Sequence, residues 1–221
     1  GFFLWLEALQ KFQEMLFSFQ KIKKSLLNNL CSFFRMSDKD NIKEEKIKVR
    51  KFAAEFLMEK VSAQDKGSAR ELYDSSRYGE PKDGKIVYSL VEALYLVEKG
   101  KMNVKDGKKT LKFDALLKSS KKIEPNIWLK YLVYRDMRSR GYIVKTALKF
   151  GADFRVYDRG IKPGEDHAKW VLFPVHEGST LTWHEFSAKN RVAHSTRKRL
   201  LLGIVDAEED CTYYEIKWTR P

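Results

Sequence analysis

GYIVKTALKFGADFRVYDRG, residues 141–160, is where the texture of the chain changes. Upstream, a helix is expected from Pro125 through Trp128, Tyr131 and Leu132, and Gly141 stands where it must stop, because only glycine takes a left-handed C-cap without strain. Downstream, short β-branched and aromatic runs predict strands over 143–150, 154–157, 169–175, 199–205 and 212–218. Side chains alternate along a strand, so Phe154 and Val156 are expected in the core, with Arg155 and Tyr157 on an opposite, polar face.

One helix interrupts these strands. Thr182 followed by Glu185 spells a capping box, in which each residue satisfies a backbone N–H of the other, and the helix is expected to continue to Arg191 or His194. The same device recurs earlier, with Ser89 and Glu92 opening a helix lined by Leu90, Leu94 and Val97 and closed at Gly100. A further helix is predicted from Phe113 to Ser119, and the stretch 47–61 reads as strand-like at its start. The fold class is therefore α+β: a small mixed N-terminal domain over 37–124 and a C-terminal mixed β-sheet domain with packed helices over 125–221. Residues 1–36 form an N-terminal extension with an amphipathic helical pattern. Glu7, Lys11, Glu14 and Lys21 interrupt it short of the ~18 apolar residues of a membrane span, and Met36 is a candidate natural start.

With 221 residues, a formal charge of +13 and a pI near 9.5, the chain is drawn to polyanions, nucleic acid before an acidic membrane. Cys31 and Cys211 are too few and too far apart for a disulfide framework and lie in no metal-type spacing, which suits a reducing cytoplasm.

Tyr157 is followed by a turn-rich loop, with Lys162-Pro163-Gly164-Glu165-Asp166 at its tip and His167 at its close, where the backbone is free to present an imidazole. The basic run RVAHSTRKR, 191–199, ends one helix and enters an apolar strand. It is suited either to facing phosphates or to a solvated helix end favoured by the macrodipole. Taken singly, Tyr157 reads as a packing residue and His167 as a surface histidine. Tyr213 and Trp218 read as core, and 206–210, Asp-Ala-Glu-Glu-Asp, as a solvated hairpin tip.

Taken together, the motifs decide more. YLVYRDMRSRGYIVKT at 131–146, GADFRVYDRG at 151–160, His167, RVAHSTRK at 191–198 and Val205-Asp206 agree in order and spacing with archaeal tRNA-splicing endonucleases, and YSLVEALYL at 88–96 extends the match upstream. From Leu132 to Pro221 the chain resembles their catalytic domain almost throughout. The resemblance implies a metal-independent, cofactor-free endoribonuclease that excises introns from precursor tRNA at bulge-helix-bulge motifs, leaving 2′,3′-cyclic phosphate and 5′-hydroxyl ends. It implies Tyr157 as base, His167 as acid and Lys198 as charge stabiliser, with Arg191 stacking on a bulged base. A free tyrosine titrates near about 10, so the base role calls for cations nearby, Lys198 or Arg159. It further implies a homotetramer in which Asp206, Glu208, Glu209 and Asp210 of one subunit enter a basic pocket of another. The rival readings are a non-catalytic, structural RNA-binding subunit and a metal nuclease built on Asp206 and its neighbours.

Overall fold

A computed structural model describes residues 50–147, 151–164 and 166–219. The amphipathic pattern before Met36 and the predicted strand tip at 148–150 lie outside them. The described residues form two sheets.

The first sheet has six strands, β1 (Phe52–Leu57), β2 (Lys60–Gln64), β3 (Glu80–Lys82), β4 (Lys85–Ser89), β5 (Met102–Asp106) and β6 (Lys109–Leu111). Their order is β3-β4-β2-β1-β5-β6, antiparallel except for the β1–β5 pair. Three helices accompany it, α1 (Ser68–Ser76), α2 (Leu90–Glu98) and α3 (Phe113–Ile123). The strand-like start expected at 47–61 is the β1–β2 hairpin, and the helix expected to end at Ser119 runs on to Ile123.

The second sheet comprises β7 (Ile143–Thr146), β8 (Phe154–Tyr157), β9 (Trp170–His176), β10 (Arg199–Val205) and β11 (Cys211–Ile216) in the order β11-β10-β9-β8-β7. Only β9 and β10 are parallel, joined by the crossover helix α5 (Trp183–Ser195). Helix α4 (Ile127–Ser139) buries Tyr131, Leu132, Val133 and Tyr134 between α2 and this sheet. Its approach to β10 is close enough that a Cβ on Gly203 would stand 3.1 Å from Val133. The second sheet is covered on both faces. Val144, Phe154, Val156 and Leu172 join the main core, whereas Val171, Phe173, Leu200 and Leu202 form a second core with Ala193 of α5.

Both capping boxes form. Ser89 Oγ accepts the Glu92 N–H at 3.3 Å while Glu92 accepts from the Ser89 N–H at 3.1 Å, and Thr182 and Glu185 do the same. Glu92 has a second role. Its other carboxylate oxygen accepts the Gly79 N–H at 3.2 Å and pairs with Lys145 of β7 at 3.2 Å, and Lys145 also donates to the Gly79 carbonyl. Both charged side chains are 5% exposed. Gly79, at φ 71, admits no side chain, since a Cβ would fall 2.4 Å from Ile86.

Removing one partner strands the other charge in the interior. Lys145→Ala is therefore expected to cost about 3–5 kcal/mol, whereas Ser89→Ala, which removes one cap, costs about 1 kcal/mol. Urea unfolding with an unchanged slope measures both; equal losses would show that the ion pair is not what joins the sheets.

Candidate active site

The geometry follows from strand direction. β8 runs antiparallel to β9, and β9 parallel to β10, so the end of β8 and the beginnings of β9 and β10 lie together at one end of the sheet. The ladders continue one residue beyond the strands, with Lys169 donating to the Val156 carbonyl at 3.0 Å and Arg199 to the Lys169 carbonyl at 2.9 Å. Tyr157, Lys169 and Lys198 therefore occupy one row. Two strand spacings separate Tyr157 from Lys198, about 10 Å between backbones, within reach of long side chains pointing inward.

Tyr157 is 5% exposed, which corrects the expectation of a polar face. Alternation puts it on the side of Arg155, Val171 and Leu200, where Val171 and Leu200 belong to the second core under α5 while Arg155 and Lys169 are partly exposed. Arg155, half-buried beside Tyr157, reaches Glu80 of β3 at 3.5 Å. Arg159, the other cation named for Tyr157, lies over the Tyr142 ring at 5.0 Å.

Lys198 is held by the way α5 ends. The Lys198 N–H bonds the Ala193 carbonyl at 2.8 Å and the Arg197 N–H bonds the His194 carbonyl at 3.0 Å, the paired closure of a Schellman motif. Arg197 supplies the left-handed residue at φ 54, a place usually taken by glycine. The Lys198 ammonium donates to the Thr196 carbonyl at 2.9 Å. Partial burial, and then the positive charge of Arg155, hold its pKa below the ordinary lysine value.

His167 is exposed, three residues before β9, in a loop whose backbone is fixed at several points. Its N–H donates to the Asp166 carboxylate at 2.6 Å, Ala168 is buried behind it, and the loop begins with Asp158 accepting the Arg159 N–H at 3.0 Å. The Asp158 carboxyl is pulled below its usual range, chiefly by its hydrogen bond with Lys169.

Arg191 is exposed on α5, two turns before Lys198. Trp218, expected in the core, is 52% exposed and packs its ring edge-on against His194 at 4.6 Å. With Asn190 and Lys198 these two rings line a recess of about 210 Å³. Arg155, His194 and Trp218 were not among the residues expected at the site. For Arg155 a signal was available, since it lies two residues from Tyr157 on a strand. Tyr213 does turn inward, its hydroxyl donating to Asp136 at 2.8 Å.

The acidic residues lie elsewhere. The 206–210 turn closes the β10–β11 hairpin at the other end of β10, seven residues from Lys198's end, or roughly 20 Å along a strand. Asp206 accepts the Asp210 N–H at 2.8 Å and Glu209 accepts from the Trp128 indole at 3.0 Å, while Glu208 and Asp210 face outward. The carboxylates of 206–210 therefore lie apart from Lys198 within one copy. Among the described residues, no three His, Cys, Asp or Glu side chains gather as a metal site.

Two family models match the chain. One, the tRNA intron endonuclease catalytic C-terminal domain, covers residues 127–213, and the other, the tRNA intron endonuclease N-terminal domain, covers 52–117. The chain belongs to the tRNA intron endonuclease family. It is 41% identical over 162 residues to the tRNA-splicing endonuclease of Thermococcus kodakarensis, a match covering 73% of this chain and 95% of that protein. It is 44% identical over 156 residues to that of Methanothermobacter thermautotrophicus, covering 69% and 89%. With that of Nanoarchaeum equitans it shares 44% over 138 residues, covering 60% and 88%.

The cap that positions Lys198 has a measurable signature. A left-handed non-glycine residue costs about 1–2 kcal/mol, against about 0.5–1 kcal/mol for glycine's extra chain entropy, so Arg197→Gly is expected to stabilise the fold by roughly 0.5–1 kcal/mol. Arg197→Val, whose β-branched side chain resists positive φ, is expected to destabilise it. Denaturant midpoints in the reverse order would mean that the closure of α5 does not set the backbone at Lys198.

Proposed function

We propose that this endonuclease cuts the two intron boundaries of precursor tRNA at bulge-helix-bulge motifs without a metal or cofactor, through Tyr157, His167 and Lys198. The ribose 2′-hydroxyl attacks the adjacent phosphorus, its proton passing to the oxygen of Tyr157, which acts as base in its phenolate form. The bond from phosphorus to the 5′-oxygen breaks, and that oxygen takes a proton from His167. Lys198 faces the charge that grows on the phosphorane oxygens, and the products are a 2′,3′-cyclic phosphate and a 5′-hydroxyl. The observation that supports the reading is that the end of β8 and the starts of β9 and β10 lie at one end of the sheet, the end at which Tyr157, the loop bearing His167 and the approach through Lys198 meet the strands.

Arg191, exposed on α5 close to the recess, is suited to stacking on a splayed base, since A-form helices hide their major-groove edges and unstacked bases are what a protein can read. We assign the N-terminal domain to 37–124, the catalytic domain to 125–221 and the enzyme to the cytoplasm. No helix among the described residues is long and apolar enough to cross a membrane. A structural subunit remains the alternative from another class, and the filled triad speaks against it. The working assembly is a homotetramer in which the outward carboxylates at 206–210 meet a basic surface of another copy.

His167→Ala and Lys198→Ala should each slow single-turnover cleavage by at least about tenfold with RNA binding little changed, since groups acting on the transition state contribute ~10²-fold or more. An RNA with 2′-deoxy at the cut site should bind and stay whole. Normal cleavage of that RNA would sink the mechanism.

For the assembly, replacing Asp206, Glu208, Glu209 and Asp210 together by Ser should lower the mass seen by light scattering at moderate salt. A tetramer that persists and cuts normally would remove the loop from the interface while leaving the nuclease reading intact.

A further inference from the structure

Positive charge is concentrated far from the triad in sequence. Residues 99–122 hold nine lysines against two aspartates and no arginine, so over half of the chain's net charge sits in this one segment. The fold displays it on the β5–β6 hairpin at the edge of the first sheet and on the outer side of α3, which follows β6 directly. Lys105, Lys108 and Lys109 are exposed on the hairpin. Lys118, Lys121 and Lys122 are exposed on α3, within about 100° of one another on the helix. Leu116 and Ser120 turn the opposite side of that helix inward.

Among the described residues none of these six ammonium groups is in an ion pair, although Lys121 stands 5.8 Å from the Trp128 ring centroid. Basic groups of the catalytic half are engaged in such pairs, Arg140 with Asp136, Lys169 with Asp158 and Arg199 with Glu215. Two local explanations account for part of the pattern. Lysines in the last turn favour the α3 macrodipole, which covers Lys121 and Lys122, and a lysine on an edge strand discourages pairing with another sheet, which covers Lys109. Neither explains Lys105, Lys108 and Lys118.

We propose that this surface binds the sugar-phosphate backbone of the precursor tRNA away from the cut sites, an inference that rests on the RNA-processing reading. Lysine is a hydrated point charge on a flexible stem, suited to phosphates whose positions vary from one tRNA to another. It lacks the planar fork with which arginine reads bases. Ile123 at the end of α3 is the one large apolar side chain exposed beside these lysines among the described residues, too little for a membrane wedge or for the clustered anchor of a protein interface.

The test is a chain with all six lysines changed to Gln, beside one with all six changed to Arg. Their binding is measured over a range of salt to a full-length precursor tRNA and to a minimal bulge-helix-bulge RNA, both 2′-deoxy at the cut sites. Each lost phosphate contact reduces the salt slope by roughly 0.7–0.9. With three to five of the six lysines on phosphates, the Gln chain should therefore lose about 2–4 from its slope, and on the order of a hundredfold or more in affinity at about 0.1 M salt, for the full-length RNA. Binding of the minimal RNA, and single-turnover cleavage of its all-ribose form at saturation, should hardly change, and the Arg chain should keep the wild-type slope.

An unchanged slope in the Gln chain, or an equal loss on both RNAs, overturns the proposal while the wild-type chain still cuts. A fall in assembly mass in the Gln chain overturns it by assigning the lysines to a second copy of the protein, and loss of binding to anionic vesicles without loss of RNA binding assigns them to a membrane. If the wild-type chain neither binds nor cuts either RNA, the RNA-processing reading itself has failed.

Discussion

The Glu92–Lys145 ion pair is the contact on which the arrangement of the two sheets depends. Two buried charges are tolerated only when they meet each other and when their remaining hydrogen-bonding capacity is used. Here that requires three separate parts of the chain to arrive together: the N-terminus of α2, which Glu92 caps, the turn at Gly79, and β7, which carries Lys145. A second buried cation lies nearby and is met by backbone carbonyls and rings, not by a carboxylate. Arg138 of α4 donates to the Ser76 carbonyl at 2.8 Å and stacks 3.8 Å from the Tyr78 ring centroid. The turn at 76–79 is thus gripped by two cations from the catalytic half, and β7, once fixed, sets β8 by pairing Ile143 with Tyr157. The N-terminal sheet acts on the site through this chain of contacts, and directly through the Glu80 carboxylate on Arg155.

At the end of the second sheet where Tyr157 and Lys198 lie, strand direction does the gathering. Parallel strands need a crossover, and α5 provides it, so β9 and β10 begin at the same end and the loops entering them are neighbours. The crossover also separates two tasks. The basic end of β10 receives Lys198 from the closure of α5, while the hairpin at its far end carries the carboxylates, so neither charge set neutralises the other within one copy.

What could be read in the sequence was local. Both capping boxes span three residues and need no tertiary partner, and each helix they predicted is present. The reading of Glu92 stopped at its cap because its second partner lies 53 residues away. Tyr157 was misread for a related reason: Lys145 and Arg155 mark its face as polar, yet both engage the N-terminal half, and Val171 and Leu200 on the same face pack in the second core with α5. Much of the first sheet went unread because its strands are three to six residues long. A signal for them was nonetheless present, since Asp83-Gly84 takes positive φ at both residues, the signature of a tight hairpin turn. Trp218 was assigned to the core on residue type alone, and nothing local distinguishes a strand-end tryptophan that packs from one that lines a recess.

The electrostatics at Lys198 connect fold to chemistry. Burial and the neighbouring Arg155 both work against its charge, so the folded protein holds this cation at a cost that a solvated lysine does not bear. That cost is met by packing elsewhere, because the Schellman closure and the α5 core leave Lys198 no freedom to swing its backbone away. A phosphate arriving at this end of the sheet reverses the sign of the local field. The more negative charge its oxygens carry, the larger the relief, and that charge is greatest in the phosphorane-like transition state. Interactions that strengthen along the reaction coordinate accelerate it, whereas those that are equal at both ends only tighten binding. In the proposed mechanism, Lys198, oriented by the sheet before substrate arrives, favours the cleavage step itself, while the proposed role of the flexible lysines of the β5–β6 hairpin, which need no fixed orientation, is to hold the RNA.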